Sequence, residues 1–514
     1  MIRFAVFIEG KPAPSVDLGG AYLVGSDGVP LRADIEFRDG QILCSKRTAG
    51  PAALAIVWPV AAMGRILLET ARLPERDAPY VIQVELLRGR LMRLFNKLEE
   101  WQQLDPETGS AHAPRLEQCR DALIEALQAD TPAEAASIAD SGLSPAVEVG
   151  EDMVLRQAED LYARRRRQAQ IAPRRPFGCA VNVRNGDEDY RRRLTGAFDF
   201  ATIPFSWPDL QPNEQQFNWK GTDSWVEWLT KHRIPIRGSS LVSFAERHVP
   251  PWLYVWEHDF ETLRDLIQEH VRRVVSRYGA HITAWDVISG IHANNCLSFN
   301  FEQLMELTRM SVSVTKQLCP RATVTIDLVA PWGEYYARNP RTIPPLLYAD
   351  MAIQSGINFD GFGLQLCFGL GIDGMYVRDF LQISNLLDRF AALGKPLHVT
   401  AVQVPSSMDS NKGDAWGGQL PGGSGGVWRD SWSEEVQSRW LRSFYELALS
   451  KSMVESVTWR DLSDQAGHYL PFGGLLRADL TPKPAYEQVL AMRKDLAGNG
   501  RSGRVVTSGK SARR

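Results

Sequence analysis

Residues 359–404 read FDGFGLQLCFGLGIDGMYVRDFLQISNLLDRFAALGKPLHVTAVQV and hold the pattern that decides the fold. A short apolar run at 359–368 is followed by apolar residues at helical spacing at 377–394 and by a second apolar run at 396–404. Apolar runs of this length predict buried strands, and the segment between them predicts a helix. A strand, a helix and a strand in that order form a unit whose two strands lie parallel.

The same unit repeats from about residue 176 to 495, with helical stretches such as 260–279 between the strands. Strand patterns lie at 177–183, 196–203, 234–244, 282–289, 322–329, 359–368, 396–404 and 454–462. Eight strands alternating with helices fit a closed (β/α)8 TIM barrel better than an open sheet. We therefore predict an α/β fold with a TIM barrel, whose functional residues lie at the carboxyl ends of its strands.

The chain before the barrel has two different patterns. Residues 1–60 are short apolar runs broken by turn signals such as GSDG and RDG, which predicts a β-rich accessory region. Residues 61–175 have mainly helical spacing, with an Ala-, Ser- and Pro-rich stretch at 130–150 interpreted as a linker and a run of four arginines, 164–167, interpreted as a solvated helix face. Residues 496–514 lack apolar periodicity, which predicts a disordered tail.

Composition excludes several classes of protein. Hydrophobic residues make up 44% of the 514 and charged residues 23%, which argues against a disordered or fibrous chain. Lys and Arg number 58 against 61 Asp and Glu, so the balance gives no reason to expect nucleic acid as a partner. No apolar run reaches the roughly 20 residues of a membrane span. The composition leaves the oligomeric state open.

The N-terminus and the cysteines bear on location and cofactors. The first apolar run stops at Glu9, short of the roughly 7–15 residues of a secretory signal, so we expect a cytoplasmic protein. Six cysteines are spread thinly without a C-x-x-C pair, as is typical of reduced thiols. No His, Asp or Glu spacing points to a metal, and we expect no cofactor.

Several motifs fall along residues 176–494 in the order of a known family. They are FGCAV at 177–181, QQFNW at 215–219, IRGSSLVSF at 236–244 followed by VPPWL at 249–253, AWDVISG at 284–290, FDGFGLQLC at 359–367 and VTWRDLSD at 457–464 with LLRADLTPKPAYEQV at 475–489. This stretch resembles the catalytic barrel of glycoside hydrolase family 10, the endo-1,4-beta-xylanases. The resemblance implies a role in recognising or metabolising xylan-type β-1,4-linked glycans or oligosaccharides.

The resemblance also implies a retaining mechanism, in which one glutamate protonates the leaving oxygen and a second attacks the sugar. In this chain the two positions are Gly290 and Ala401. Neither residue donates a proton or attacks an anomeric carbon, so the resemblance predicts a pseudoenzyme for that reaction and leaves the question of catalysis open.

The surrounding positions are partly kept and partly changed. Trp207, Gln365 and Trp459 match the family, whereas Ser289 and Gln403 replace the Asn and Asp beside the two glutamates and Arg460 stands where Gly is usual. With Asn294 and Asn295 from the loop after the fourth strand, these residues are our candidate ligand-binding set, because hydroxyl and amide groups bond to sugars and aromatic rings stack on them. The alternative is that the asparagines satisfy their own loop and that the tryptophans pack in the core.

Other carboxylates near strand ends are candidates for a relocated active site. Asp461 after the eighth strand, close to Arg460 and His468, is the first of them, followed by Asp327 and Glu246. An ordinary ion pair or a hydrogen-bonded strand end explains each of these acids equally well. A glycine-rich segment at 410–432 is interpreted as a lid over the barrel or as a flexible loop without function.

Three functions remain open from the sequence. The first is a carbohydrate-binding relative of the xylanases that lacks the standard catalytic pair. The second is an active O-glycosyl hydrolase with relocated carboxylates, and the third is a protein-interaction scaffold built on the barrel. A carbohydrate ligand is the expected partner in the first two.

Overall fold

The computed structural model describes residues 1–102, 112–167, 175–339, 341–409 and 424–499. The tail that we predict to be disordered lies outside the described residues from position 500 onward, and so do residues 410–423 of the glycine-rich segment. Within the described chain, a β-rich and helical N-terminal region precedes a closed barrel of parallel strands, as the sequence predicts.

The N-terminal region begins with short strands, because turn signals interrupt its apolar runs. They are β1 (Ile2–Ala5), β2 (Phe7–Ile8), β3 (Lys11–Pro12), β4 (Tyr22–Val24), β5 (Pro30–Leu31), β6 (Ala33–Arg38), β7 (Gln41–Lys46), β8 (Ala53–Val60), β9 (Gly64–Glu69) and β10 (Tyr80–Val81). One sheet has the order β10-β1-β7-β6, and β9-β8-β4-β5 belong to a second. Strands thus continue into the segment predicted to be helical, because β9 returns antiparallel along β8.

Three helices follow: α1 (Ile82–Glu100), α2 (Ala113–Gln128) and α3 (Pro132–Arg167). The interpretation of 130–150 as a linker is wrong, because this stretch is the first half of the 36-residue helix α3. Alanine has the highest helix propensity, and Ala136 and Ala139 are buried where α3 packs on its neighbours. Pro145 lies inside the same helix.

Eight strands form the barrel, each paired with the next, and the eighth pairs with the first. They are β11 (Phe177–Ala180), β12 (Phe200–Pro204), β13 (Ile236–Ser239), β14 (Ile282–Ser289), β15 (Thr323–Leu328), β16 (Gly361–Cys367), β17 (Leu397–Gln403) and β19 (Val454–Trp459); the short strand β18 (Val427–Trp428) lies outside it. The intervening helices are α4 (Glu188–Ala197), α5 (Trp207–Leu210), α6 (Lys220–Lys231), α7 (Phe260–Tyr278), α8 (Phe301–Leu318), α9 (Pro345–Gln354), α10 (Phe380–Ala391), α11 (Glu434–Ser450) and α12 (Pro484–Asn499). All eight strand positions predicted from the sequence are confirmed.

The N-terminal region is joined to the barrel by a shared sheet and by buried charges. Strand β18 pairs with β9 and so extends the second N-terminal sheet. Arg90 of α1 forms a buried ion pair with Asp379, with 2.7 Å between Nη1 and Oδ2. Arg165 is buried rather than solvated, and its Nη1 donates to the carbonyl oxygens of Leu449 and Lys451 at the end of α11. A guanidinium has five donors, which suits it to bind a group of carbonyls at a helix end.

Candidate functional site

A cavity of about 700 Å³ opens at the carboxyl ends of the barrel strands. It is lined by residues at or just beyond the carboxyl ends of β13, β14, β16 and β19, among them Ser243, Ser289, Asn294, Gln365 and Arg460. This is the face on which TIM barrels carry their active sites. A second cavity of about 330 Å³ adjoins it and shares Arg460 in its lining.

Gly290, the residue that the sequence resemblance assigns to the first catalytic position, has a backbone conformation that disfavours a side chain. Its φ is +63°, in the left-handed region that non-glycine residues rarely adopt. A Cβ atom at this position would lie 2.8 Å from Cγ2 of Val329, closer than van der Waals contact allows. A side chain at the end of β14 would therefore require both a strained backbone conformation and a shift of Val329.

Ala401, which the sequence resemblance assigns to the second catalytic position, lies within β17 opposite Gln365 of β16. Only 1% of the residue is exposed, and it packs with Cys367 and Met375. Its methyl group forms part of a small apolar cluster under the cavity and carries no group for catalysis.

Asp327 lies at the end of β15, beneath the cavity, where three side chains surround it. Ser289 Oγ and Gln365 Nε2 each donate to its Oδ2 at 2.6 Å, and Thr400 Oγ1 donates to its Oδ1. Burial, together with the nearby charge of Asp286, raises the pKa of this carboxyl. We call Ser289, Asp327, Gln365 and Thr400 the floor network, since they close the bottom of the cavity.

An ion pair lies one layer deeper in the barrel. Arg237 of β13 binds Asp286 of β14 through Nε, which is 2.9 Å from Oδ2 and 3.1 Å from Oδ1, and also donates to Thr325 Oγ1 at 3.0 Å. Both charged side chains are almost fully buried. Asp286 is thus a structural residue that links adjacent strands, and its partner lies too far away in the chain for a sequence pattern to indicate it.

Asp461 follows β19 and lines the second cavity. Its Oδ2 accepts hydrogen bonds from Gln403 Nε2 at 2.8 Å, from the backbone N–H of Tyr469 at 2.6 Å and from that of Leu470 at 3.3 Å. Burial raises its pKa, while the charge of Arg460 and these hydrogen bonds oppose the rise. No hydrogen bond to Oδ1 occurs among the described residues, so one oxygen is left to meet a ligand.

Of the three candidate acids, Glu246 is the one that lines the main cavity, and it is exposed in a short 3-10 helix, Glu246–His248. It is the least constrained of the three, because Asp327 and Asp461 are each fixed by three donors. His468, which the sequence places close to Asp461, is buried, with Nδ1 2.9 Å from the carbonyl oxygen of Gln465.

The predicted ligand-binding residues divide into two groups. Four line the main cavity: Ser289, Asn294, Gln365 and Arg460. Four others have side chains committed elsewhere: Trp207, Asn295, Gln403 and Trp459. Asn295, for example, bonds both the N–H and the carbonyl oxygen of Phe299 in its own loop, which is the alternative that its sequence context left open.

The two tryptophans that match the family pattern belong to the core. Trp459 is fully buried and donates to the carbonyl oxygen of Gly473 at 3.0 Å. Trp207 is 3% exposed, and its ring stacks on His270 with 4.1 Å between the ring centroids. Among the described residues, the tyrosines that line the main cavity are Tyr335 and Tyr469, and neither lies in a motif that would identify it from the sequence.

The side chains around the cavities do not form a metal centre. In the part of the chain that the structure describes, no group of three or more His, Cys, Asp or Glu side chains is arranged to hold a metal ion. None of the described helices is both long and apolar enough to cross a bilayer.

The barrel is similar to known proteins over most of its length. Residues 167–492 match the model of glycosyl hydrolase family 10. Endo-1,4-beta-xylanase B of Thermotoga neapolitana is 23% identical over 288 residues, which cover 54% of this chain and 75% of that enzyme. Endo-1,4-beta-xylanase 1 of Gibberella zeae is 30% identical over 124 residues, which cover 23% of this chain and only about a third (34%) of that enzyme.

Among solved structures, native xylanase 10B from Thermotoga maritima superposes with a TM-score of 0.48 at 17% identity, covering 64% of this chain and 98% of that one. The family match spans the whole barrel, from before β11 to within α12, and more than half of the chain. The chain belongs to glycosyl hydrolase family 10.

Proposed function

We propose that this protein binds a xylan-type β-1,4-linked glycan or a short oligosaccharide at the mouth of its barrel, and that it does not hydrolyse the ligand by the retaining mechanism. Its family belongs to carbohydrate metabolism, and the family members named above are xylanases. The cavity of about 700 Å³ is large enough for a saccharide.

The conformation of Gly290 carries the proposal. Retaining hydrolysis needs two carboxyl groups about 5–5.5 Å apart, one as acid and one as nucleophile. A positive φ and the close approach of Val329 disfavour the first carboxyl group at Gly290, and at Ala401, to which the resemblance assigns the second, the side chain is a buried methyl group.

Binding without turnover is supported by the chemistry of the cavity. Its lining offers the hydroxyl groups of Ser240 and Ser243 and the amide of Asn294, which suit the hydroxyl groups of a sugar. Tyr335 and Tyr469 supply aromatic faces on which a pyranose ring packs.

A hydrolase with a relocated acid is the second candidate, and Asp461 favours it. The carboxyl lines a cavity, one of its oxygens has no hydrogen bond from the described residues, and burial raises its pKa. A raised pKa is what a general acid needs near neutral pH. This candidate also requires a second carboxylate, for which Glu246 is the one that lines the neighbouring cavity in an exposed position.

Calorimetric titration with xylotriose and cellotriose, followed by chromatography of the incubated sugars, distinguishes the candidates. We expect heat of binding and intact sugars. Hydrolysis that Asp461→Asn abolishes, while the surface change Asp265→Asn on α7 leaves it intact, would support the relocated hydrolase and overturn the proposal. Neither binding nor hydrolysis would favour the protein-interaction scaffold instead.

A further inference from the structure

Two arginines meet where the two cavities join. Arg247 lies in the 3-10 helix after β13, and Arg460 comes directly after β19; both line both cavities. The guanidinium carbon of Arg247 is 5.1 Å from the ring centroid of Tyr469, and that of Arg460 is 4.6 Å from the same centroid. Both guanidinium groups thus lie beside the same ring, where the two cavities join.

The acids that line the two cavities are engaged away from Arg460. Two of them are already matched, since Asp209 pairs with Arg184 at 3.3 Å and Asp373 pairs with Arg338. Among the described residues, no carboxylate oxygen lies within 4 Å of the Arg460 guanidinium. The neighbouring Asp461 is instead fixed by Gln403 and two backbone N–H groups. Glu246, which directly precedes Arg247, is exposed.

His248 accepts a hydrogen bond from Arg247, one of the two arginines. Arg247 Nε donates to His248 Nε2 at 3.3 Å, so the imidazole proton resides on Nδ1, which donates to Ser243 Oγ at 3.1 Å. Burial, with the charges of Arg247 and Arg460, lowers the pKa of His248 to about 3. The histidine thus orients Arg247 without adding a charge of its own at neutral pH.

We infer that Arg460 and Arg247 form a binding site for an anionic group on the saccharide ligand, either the carboxylate of a uronic acid or a phosphate. This site depends on the proposed saccharide binding and defines the class of sugar. Among the described residues no carboxylate lies at ion-pair distance from the half-buried guanidinium of Arg460, and an oxyanion that accepts from its planar fork would supply that partner. A neutral sugar offers Arg460 no such partner.

The test compares matched neutral and acidic ligands by calorimetric titration of the full chain. The probes are xylotriose against xylotriose bearing one glucuronic acid branch, and glucose against glucose 6-phosphate, which separate the carboxylate source from the phosphate source. We expect at least one acidic probe to bind about tenfold or more tightly than its neutral partner at low salt. The preference should shrink as NaCl rises from about 0.05 to 0.5 M.

Arg460→Gln should abolish the preference for the acidic probe over its neutral partner, whereas Arg460→Lys should retain part of that preference. Arg272→Gln, the same loss of charge on the exposed face of α7, is the control and should change neither. Equal affinity for acidic and neutral probes, or a preference that survives Arg460→Gln, would overturn the inference while leaving neutral saccharide binding intact. Absence of binding to every sugar would overturn both proposals.

Discussion

Two carboxyl groups at the mouth of this barrel have pKa values shifted in the same direction but differ in their access to a ligand. Burial raises the pKa of both Asp327 in the floor network and Asp461 beside β19. Both oxygens of Asp327 accept hydrogen bonds and the residue is 1% exposed, whereas Asp461 lines a cavity and is bonded through one oxygen. A raised pKa therefore does not by itself mark a functional acid; access to a ligand decides.

The largest loss of stability is expected from breaking the ion pair between Arg237 and Asp286, which lies beneath the floor network. Arg237→Met should lower the free energy of unfolding by about 3–5 kcal/mol, because it leaves the charge of Asp286 buried without its partner. Denaturant-induced unfolding, followed by tryptophan fluorescence, measures the change. Arg272→Met on the surface is the matched control, and a loss for Arg237→Met no greater than that of the control would contradict a structural role for this layer.

Replacing Asp327 or Asp461 by alanine compares a carboxylate that is closed off from the cavity with one that lines it. Asp327→Ala should cost about 1–3 kcal/mol, since the buried donors Gln365 and Ser289 lose their acceptor. Asp461→Ala should cost less, because water in the cavity can reach the donors that it leaves behind. The same unfolding measurement on both variants checks the order, and the reverse order would show that the wall of the cavity is more tightly packed than the floor.

A side chain introduced at Gly290 tests whether the chain requires glycine directly after β14. Gly290→Ala should destabilise the protein by about 1–2 kcal/mol, because alanine must adopt a left-handed conformation next to Val329. Gly356 also has a positive φ, but a Cβ there would meet open space, so this position separates the two causes. If Gly356→Ala costs as much as Gly290→Ala, backbone strain alone explains the effect and the steric exclusion at Gly290 is not needed.

The smallest expected effect is a dependence of the free energy of unfolding on pH. The native pKa of Asp327 lies above its ordinary value of 3.8, so between those two values the folded state holds more protons than the unfolded chain. The stability of the wild type should therefore fall relative to Asp327→Asn as the pH rises through this window. Asp461→Asn should give the same sign, because burial raises that pKa too. Unfolding curves at several pH values measure the difference, and a wild type that gains on either variant as the pH rises would contradict it.

Prediction from the sequence succeeded where the chain pattern is local. Apolar runs of strand length, separated by helical periodicity, locate all eight barrel strands, because each element must bury one side of itself. The linker prediction at 130–150 failed because a composition rich in Ala and Ser resembles that of a spacer, yet α3 finds partners in α1, α2 and α11 that bury its small residues.

The candidate site was predictable only in part. Four of the proposed ligand residues line the cavity because position after a barrel strand is itself a sequence signal. Arg247, Tyr469 and His248 carry no such signal, since they come together from loops after β13 and β19 that are more than 200 residues apart in the chain.

The sequence by itself determined the barrel, its place in a known family and the identity of the residues at positions 290 and 401. Only the tertiary structure decided which polar side chains face a cavity and which are bound inside the protein. The reason is that strand and helix formation depend on the spacing of apolar residues along the chain, whereas the role of Asp327, Asp461 or Arg460 depends on donors, acceptors and charges brought from distant strands.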